Sequence, residues 1–430
     1  MRQALLSLAA GMSLCILAAD LTAQTLPVPI LPPAPIPVPE PEPTPKEPRP
    51  APTPKAKGPE TAAAPVEGVG RPRPRPWEYE LAFGVAGDTN TDFLVPDGAG
   101  GWAIVPGGRI ARNLSSTQGE LRAEAAGRWI GYPGQDTPDR TYFDAGLRGD
   151  YRSSGRATWR GDVHYWLGYT DSTPTLVEQG VALPLGKTNN FTGELALEQK
   201  VGARMFVRAE GRLLVTTFDD PLYVDGKSLR GTVALGRQLG PRDSISVGYA
   251  LEDVLESWAS GAYLTHYGSL QWTRTLSPRS ALLLEAGASY TPESSQAGLG
   301  RGEGFFGGVT FLRQVGRSSL TAYFRREVAP AFGLGVSRLE YRAGLRADVP
   351  LQRDWRLSVA AYHIQPASPE SGETVFAPST DVTAAFDRRL GRLFTLSGEG
   401  RYRRRGETTS QPTISALQGG LFLSVGTSRR

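Results

Sequence analysis

The chain has 430 residues, with 51 Gly, 35 Pro, a single Cys and a formal charge of +4. One cysteine excludes a disulfide scaffold and a cysteine-built metal centre. The weak positive charge is dispersed and offers no basic stripe for nucleic acid, so no nucleic-acid partner is expected.

MRQALLSLAAGMSLCILAADLTA (1–23) has a basic start at Arg2, an apolar run from Ala4 to Ala19 and small residues near Ala23. That pattern predicts a secretory signal peptide, because the run is shorter than the ~20 residues of a membrane helix. Cys15 lies inside it. Leu14 stands where lipid attachment would want a small residue, which argues against a lipid anchor.

Residues 24–76 are dominated by proline, from LPVPILPPAPIPVPEPEPTPK to GRPRPRP. Proline fixes φ and has no amide hydrogen, so helix and sheet ladders are unavailable and extended polyproline II is favoured. A disordered periplasmic linker follows, with a reach of ~160 Å at ~3.1 Å per residue. A spacer is the first reading. Docking to peptidoglycan or periplasmic proteins is the second.

From Trp77 to Arg430 one plan repeats: an alternating segment, a connection, and a second alternating segment running back. Short turns stand at 113–120, 152–156, 201–204, 239–244, 276–280, 315–319, 351–354 and 390–392, all rich in the Gly, Pro, Ser and Asp that tight hairpins use. Long polar connections stand between them, among them AGDTNTDFLVPDGAGG, DSTPTLVEQGVALPLGKT, TPESSQAGLGRGEG and QPASPESGETVFAPST. Short and long connections take turns, which is the layout of a transmembrane antiparallel up-and-down β-barrel. The count is about eighteen strands, or sixteen if a proline-containing region such as Trp102 to Leu114 is not a full strand.

The alternation is clearest in RATWRGDVHYWLGYT (156–170). Ala157, Trp159, Val163, Tyr165, Leu167 and Tyr169 fall on one parity; Thr158, Arg160, Asp162 and His164 fall on the other, with Trp166 and Gly168 as exceptions. Successive side chains of a strand point to opposite faces, so one face is apolar and one charged. A soluble sandwich would bury the apolar face. Three features oppose that: segments longer than ordinary strands, an apolar face rich in small Gly and Ala, and aromatics at segment ends (Trp77, Tyr79, Trp129, Tyr151, Tyr169, Tyr249, Trp272, Tyr290). The apolar face is therefore expected to meet outer-membrane lipid, and the charged face to line the lumen.

The expected lining comprises Arg122, Glu124, Arg128, Asp144, Arg148, Arg160, Asp162, Arg208, Glu210, Arg212, Glu340, Arg342, Arg346, Asp348, Glu399, Arg401 and Arg403. Nearly all cations are arginines, whose rigid fork suits carboxylate, phosphate or sulfate. An anion-selective ladder and a self-neutralising lining both fit. Nearly equal signs on the inward parity favour the second, which predicts a polar pore with at most mild anion preference. The connection at 171–188 follows the fifth strand, where general porins fold a loop inward, but a surface loop is the preferred reading. His164, His266 and His363 lie far apart on separate strands and form no metal-spaced pair. No catalytic residue, metal or cofactor is expected, and the chain is not read as an enzyme.

On this pattern, on the hairpins LGPRDSISVGY and LSPRSALLLEA, and on the last strand QGGLFLSV, the chain resembles bacterial outer-membrane β-barrel proteins of the porin type. Some of these accompany exopolysaccharide export systems. The resemblance implies a cell outer membrane location and a channel for passive diffusion of small hydrophilic solutes. It also implies insertion by the barrel-assembly machinery, reading a terminal signal at Gln418, Gly420, Leu423 and Val425. An alternative is a barrel component or anchor of an export system, whose proline-rich arm docks partners or the cell wall.

Overall fold

The computed structural model describes residues 77–427 except 90–99, 136, 171–184, 222, 257–262, 293–301, 332–335, 353, 367–376 and 408–412. The expected leader and proline-rich linker, and nearly all of the 171–188 connection, lie outside these residues.

The described chain is a succession of strands. The first six are β1 (Trp77–Asp88), β2 (Gly101–Ser115), β3 (Gly119–Ile130), β4 (Arg140–Ser154), β5 (Ala157–Tyr169) and β6 (Lys187–Lys200). The middle six are β7 (Met205–Phe218), β8 (Gly226–Gln238), β9 (Asp243–Glu256), β10 (Tyr263–Ser277), β11 (Ser280–Thr291) and β12 (Gly302–Val315). The last six are β13 (Ser318–Ala331), β14 (Val336–Gln352), β15 (Trp355–Pro366), β16 (Ser379–Arg389), β17 (Phe394–Arg405) and β18 (Ile414–Gly426). Every strand pairs antiparallel with its chain neighbours, and β1 also pairs with β18, so the 18-stranded sheet closes. Closure leaves no strand edge unpaired.

The eighteen-strand reading holds and the sixteen-strand alternative does not, because Trp102 to Leu114 lies within one full strand. Its proline is accommodated locally. Pro106 has no N–H to offer, and the ladder from β2 to β3 runs only from Gly107 onward. Beyond it, Ile104 and Gly131 exchange backbone bonds of 2.9 and 3.0 Å and reclose the pair. The long connections are shorter than their composition suggested: Asp88 still belongs to β1, Lys187 and Thr188 to β6, and Gly302 to Gly304 to β12.

Serine hydroxyls tighten the short turns. Ser154 Oγ accepts from the amides of Arg156 (3.2 Å) and Ala157 (3.1 Å), and Ser277 Oγ accepts from Arg279 N (3.2 Å). Register shifts between Arg152/Ser154, Thr275/Ser277 and Pro350/Gln352 fall beside such turns and take up the extra residue. Gly316, at φ 61°, supplies the left-handed residue of the β12–β13 turn. β1 begins and β18 ends at this same short-turn end, where Thr427 N donates to Tyr79 O (2.9 Å).

The apolar parity is the outside. Along β1, Leu81 is 64% and Phe83 58% exposed, and Phe305 on β12 is 75% exposed. Water would make such a surface costly and aggregation-prone; hydrocarbon suits it. Among the described residues no helix is long and apolar enough to cross a membrane. Trp77, Tyr79 and Tyr151 lie outward at the short-turn end, and Trp129 and Tyr290 outward toward the other. These are two aromatic boundaries. The few buried apolar side chains, such as Leu214 with Val254 and Ile414 with Ala416, sit inside the wall near the long-loop end.

Candidate functional site

A strand register assigns each inward position a pair of neighbours across the wall, and this is what brings charges together that are distant in sequence. On β1–β3 the Arg122 guanidinium lies 3.2 Å from Glu78 and 3.1 Å from Glu124, and donates to Asn113 Oδ1 at 3.0 Å. Arg109 also pairs with Glu124. Arg128 stands 4.7 Å above the Tyr142 ring. On β4–β5, Arg160 meets Asp150 at 3.0 Å and Arg148 meets Asp162 at 3.9 Å, while His164 Nε2 lies against the Asp162 carboxylate. Asp144 sits opposite Trp166.

On β6–β8, Arg208 pairs with Glu198 at 2.9 Å, Glu210 faces Ala196 and Thr232, and Arg212 faces Glu194 and Arg230. Across β13–β15, Arg342 lies 3.3 Å from Glu327 and also pairs with Glu340, which is fully buried. Asp348 receives Arg346 and Arg356, both at 3.2 Å, and accepts from Ser358 Oγ at 2.8 Å. On β16–β18, Arg401 binds Asp381 at 2.6 Å, Arg403 is buried beside Asp381 and Ala416, and Glu399 faces Ala385 and Gly420. Every residue expected to line the pore thus falls on the parity opposite the exposed apolar face. Most of these side chains are engaged with one another. An ion pair held by neighbours on a rigid sheet presents little net charge to a passing solute.

Inward positions become buried toward the long-loop end. Thr188, Asn190, Thr216, Glu252 and Glu340 are all buried there, while most inward residues nearer the short turns remain partly open, small ones such as Ala111 and Ser424 excepted. Polar partners satisfy this narrower level: Asn190 Nδ2 donates to Thr216 Oγ1 at 2.7 Å, and Glu252 accepts from Ser228 Oγ (2.7 Å) and Tyr267 OH (2.9 Å). Glu178 and Gln179, within the 171–188 connection, lie outside the described residues.

The three histidines do not converge. His164 points inward, whereas His266 and His363 lie on the outward parity, hydrogen-bonded to Tyr249 (2.7 Å) and Thr380 (2.9 Å). Among the described residues no group of three His, Cys, Asp or Glu side chains could hold a metal. In the last strand, Gln418 and Gly420 face inward and Leu423 and Val425 outward, with Gln418 Nε2 donating to Asp88 across the closing seam.

Sequence reasoning overlooked the wall formed by β9 to β12. Its inward positions include Ser244, Ser246, Ser269, Gln271, Thr273 and Phe306, interrupted by several glycines. Trp166 and Tyr142, also inward, pack at a ring separation of 6.3 Å. The alternating Ser/Thr/Gly parity of DSISVGYA and YGSLQWTRT was the available signal; it carries no charge and so drew no attention.

No family model and no curated protein matches the chain. Solved structures with a related arrangement include the outer membrane protein OpdK from Pseudomonas aeruginosa, at 12% identity, 81% of this chain, 98% of that one and a TM-score of 0.41. They also include OccK2 (OpdF) from the same organism, at 10% identity, 82% of this chain, 98% of that one and a TM-score of 0.43. The siderophore receptor PirA, again from Pseudomonas aeruginosa, matches at 8% identity over 80% of both chains with a TM-score of 0.39.

Proposed function

We propose that this chain is a porin-like channel of the outer membrane that lets small hydrophilic solutes diffuse passively. One observation carries the reading: a closed sheet whose exposed outer parity is apolar and whose inner parity is polar and charged. Barrels of about 16 to 18 strands enclose an aqueous passage rather than a side-chain core. Because most inward arginines already hold a carboxylate, the passage has weak ion selectivity.

The short-turn end is assigned to the periplasm, by analogy with barrels whose longer loops face outward. Residues 24–76 would extend from that end, where β1 begins. Insertion would use the barrel-assembly machinery acting on the β18 signal. No feature of the described barrel favours an export role over diffusion.

The test is planar-bilayer recording from the folded, leader-free chain. Discrete conductance steps with a reversal potential near zero across a KCl gradient are expected. Folded protein that inserts and carries no current overturns the proposal.

A further inference from the structure

We infer that the β9–β12 wall is a track for neutral polyhydroxylated solutes, sugars above all; this rests on the channel reading and names what the channel favours. Two unlike surfaces line the lumen. Across β3–β7 and β13–β17, long arginines and carboxylates are tied to each other, so their donors and acceptors are occupied. Across β9–β12, the inward residues below the narrow level are mostly serine, threonine, glutamine, glycine and alanine, with Leu283 and Leu312 beside them, Glu285 the one carboxylate there and no cation among the described residues. No side-chain hydrogen bond within the described residues engages Ser246, Gln271 or Thr273. Their donors and acceptors face the lumen and are open to a solute.

The same wall carries aromatic surface. Phe306 lies across Gly287 of the neighbouring strand: a Cβ at Gly287 would come within 2.3 Å of its ring. Only glycine allows that approach, and the ring is thereby laid along the wall instead of projecting across the lumen. Tyr267 meets Phe306 edge-on at 5.8 Å and is fixed by its bond to Glu252. A flat half-buried ring flanked by unengaged hydroxyl and amide groups matches a pyranose, whose C–H face packs on an aromatic face and whose hydroxyls exchange water for wall donors one for one. An anionic solute gains less, because it sheds hydration against a wall with no cation, and a cationic one finds only Glu285 to answer it.

Glucose, gluconate and glucosamine separate the possibilities, being alike in size and unlike in charge. The full leader-free chain is reconstituted in phosphatidylcholine vesicles, and entry of each probe is followed by swelling. Glucose should enter faster than either charged probe by about threefold or more, the discrimination that one net hydrogen bond supplies. Gln271→Leu with Thr273→Val, and separately Phe306→Leu, should move that ratio toward one. Charged probes entering as fast as glucose overturn the track, as does a ratio that ignores both variants. Folded protein that conducts no KCl overturns the channel reading itself, which is a different result.

Discussion

Two sides of one lumen solve the same problem by different means. The β13–β17 side is built of long charged residues, most of them stabilised by an opposite charge on the same or the next strand. The β9–β12 side is built mostly of short neutral residues, with Glu285 its one carboxylate below the narrow level. Both surfaces are wettable, yet they differ in what they would do to a solute and in what a substitution would cost. A charge inside a pair is structure. A charge placed where nothing answers it becomes selectivity.

The largest effect is expected where the charged side is most enclosed. Arg342 is shared by Glu327 and the fully buried Glu340. Arg342→Ala would leave two carboxylates facing each other across the β13–β14 register, where Glu327 and Glu340 are direct partners. Breaking a buried pair from one end costs about 3–5 kcal/mol. Urea unfolding of the reconstituted barrel should show a loss of that order. A loss below about 1 kcal/mol, the range of exposed pairs, would mean that this side is solvated rather than enclosed.

Selectivity gives the next effect. Asp381 holds Arg401 by two donors, Nε at 2.9 Å and Nη2 at 2.6 Å. Asp381→Asn releases a fixed cation into the lumen and should raise the chloride-to-potassium permeability ratio about twofold, the scale of one partly screened charge. Gln271→Glu on the neutral side should move the ratio in the opposite direction by a similar amount, since nothing there neutralises a new carboxylate. Reversal potentials in a KCl gradient report both. If Gln271→Glu leaves the reversal potential unmoved, the two sides are not electrostatically distinct.

How this contrast could be read from the chain depends on range. Parity is local, and so RATWRGDVHYWLGYT already separated Trp159 and Val163 from Arg160 and Asp162. Tight turns are local too: the hydroxyls of Ser154 and Ser277 stand where the sequence placed turns. Pairing is not local. Arg122 reaches Glu78, 44 positions back, only because β2 lies between them in the sheet, and Asp88 meets Gln418 only because the sheet closes. No periodicity reveals such partners. Trp166 broke the alternation of its strand because it faces the lumen beside Tyr142, a packing need that no parity rule contains. The neutral side was readable in principle, as Ser246, Ser269 and Thr273 share one parity. Its significance appeared only when the opposite side proved to be self-paired.

The smallest effect sharpens the comparison within the charged side itself. Arg208 and Glu198 face each other at 2.9 Å near the short turns, with side chains 46% and 42% exposed. Water reaches both, so each is already well solvated before they meet, and salt screens what remains of their attraction. A double-mutant cycle on Arg208→Ala and Glu198→Ala should therefore return a coupling below about 1 kcal/mol, falling further at high salt. This pair would then be weaker than Arg342 with its two carboxylates, the more exposed site being the more solvated. A coupling as large as the buried one would show that the short-turn half is as closed to water as the long-loop half. The contrast in solvation between the two halves would then have to be abandoned.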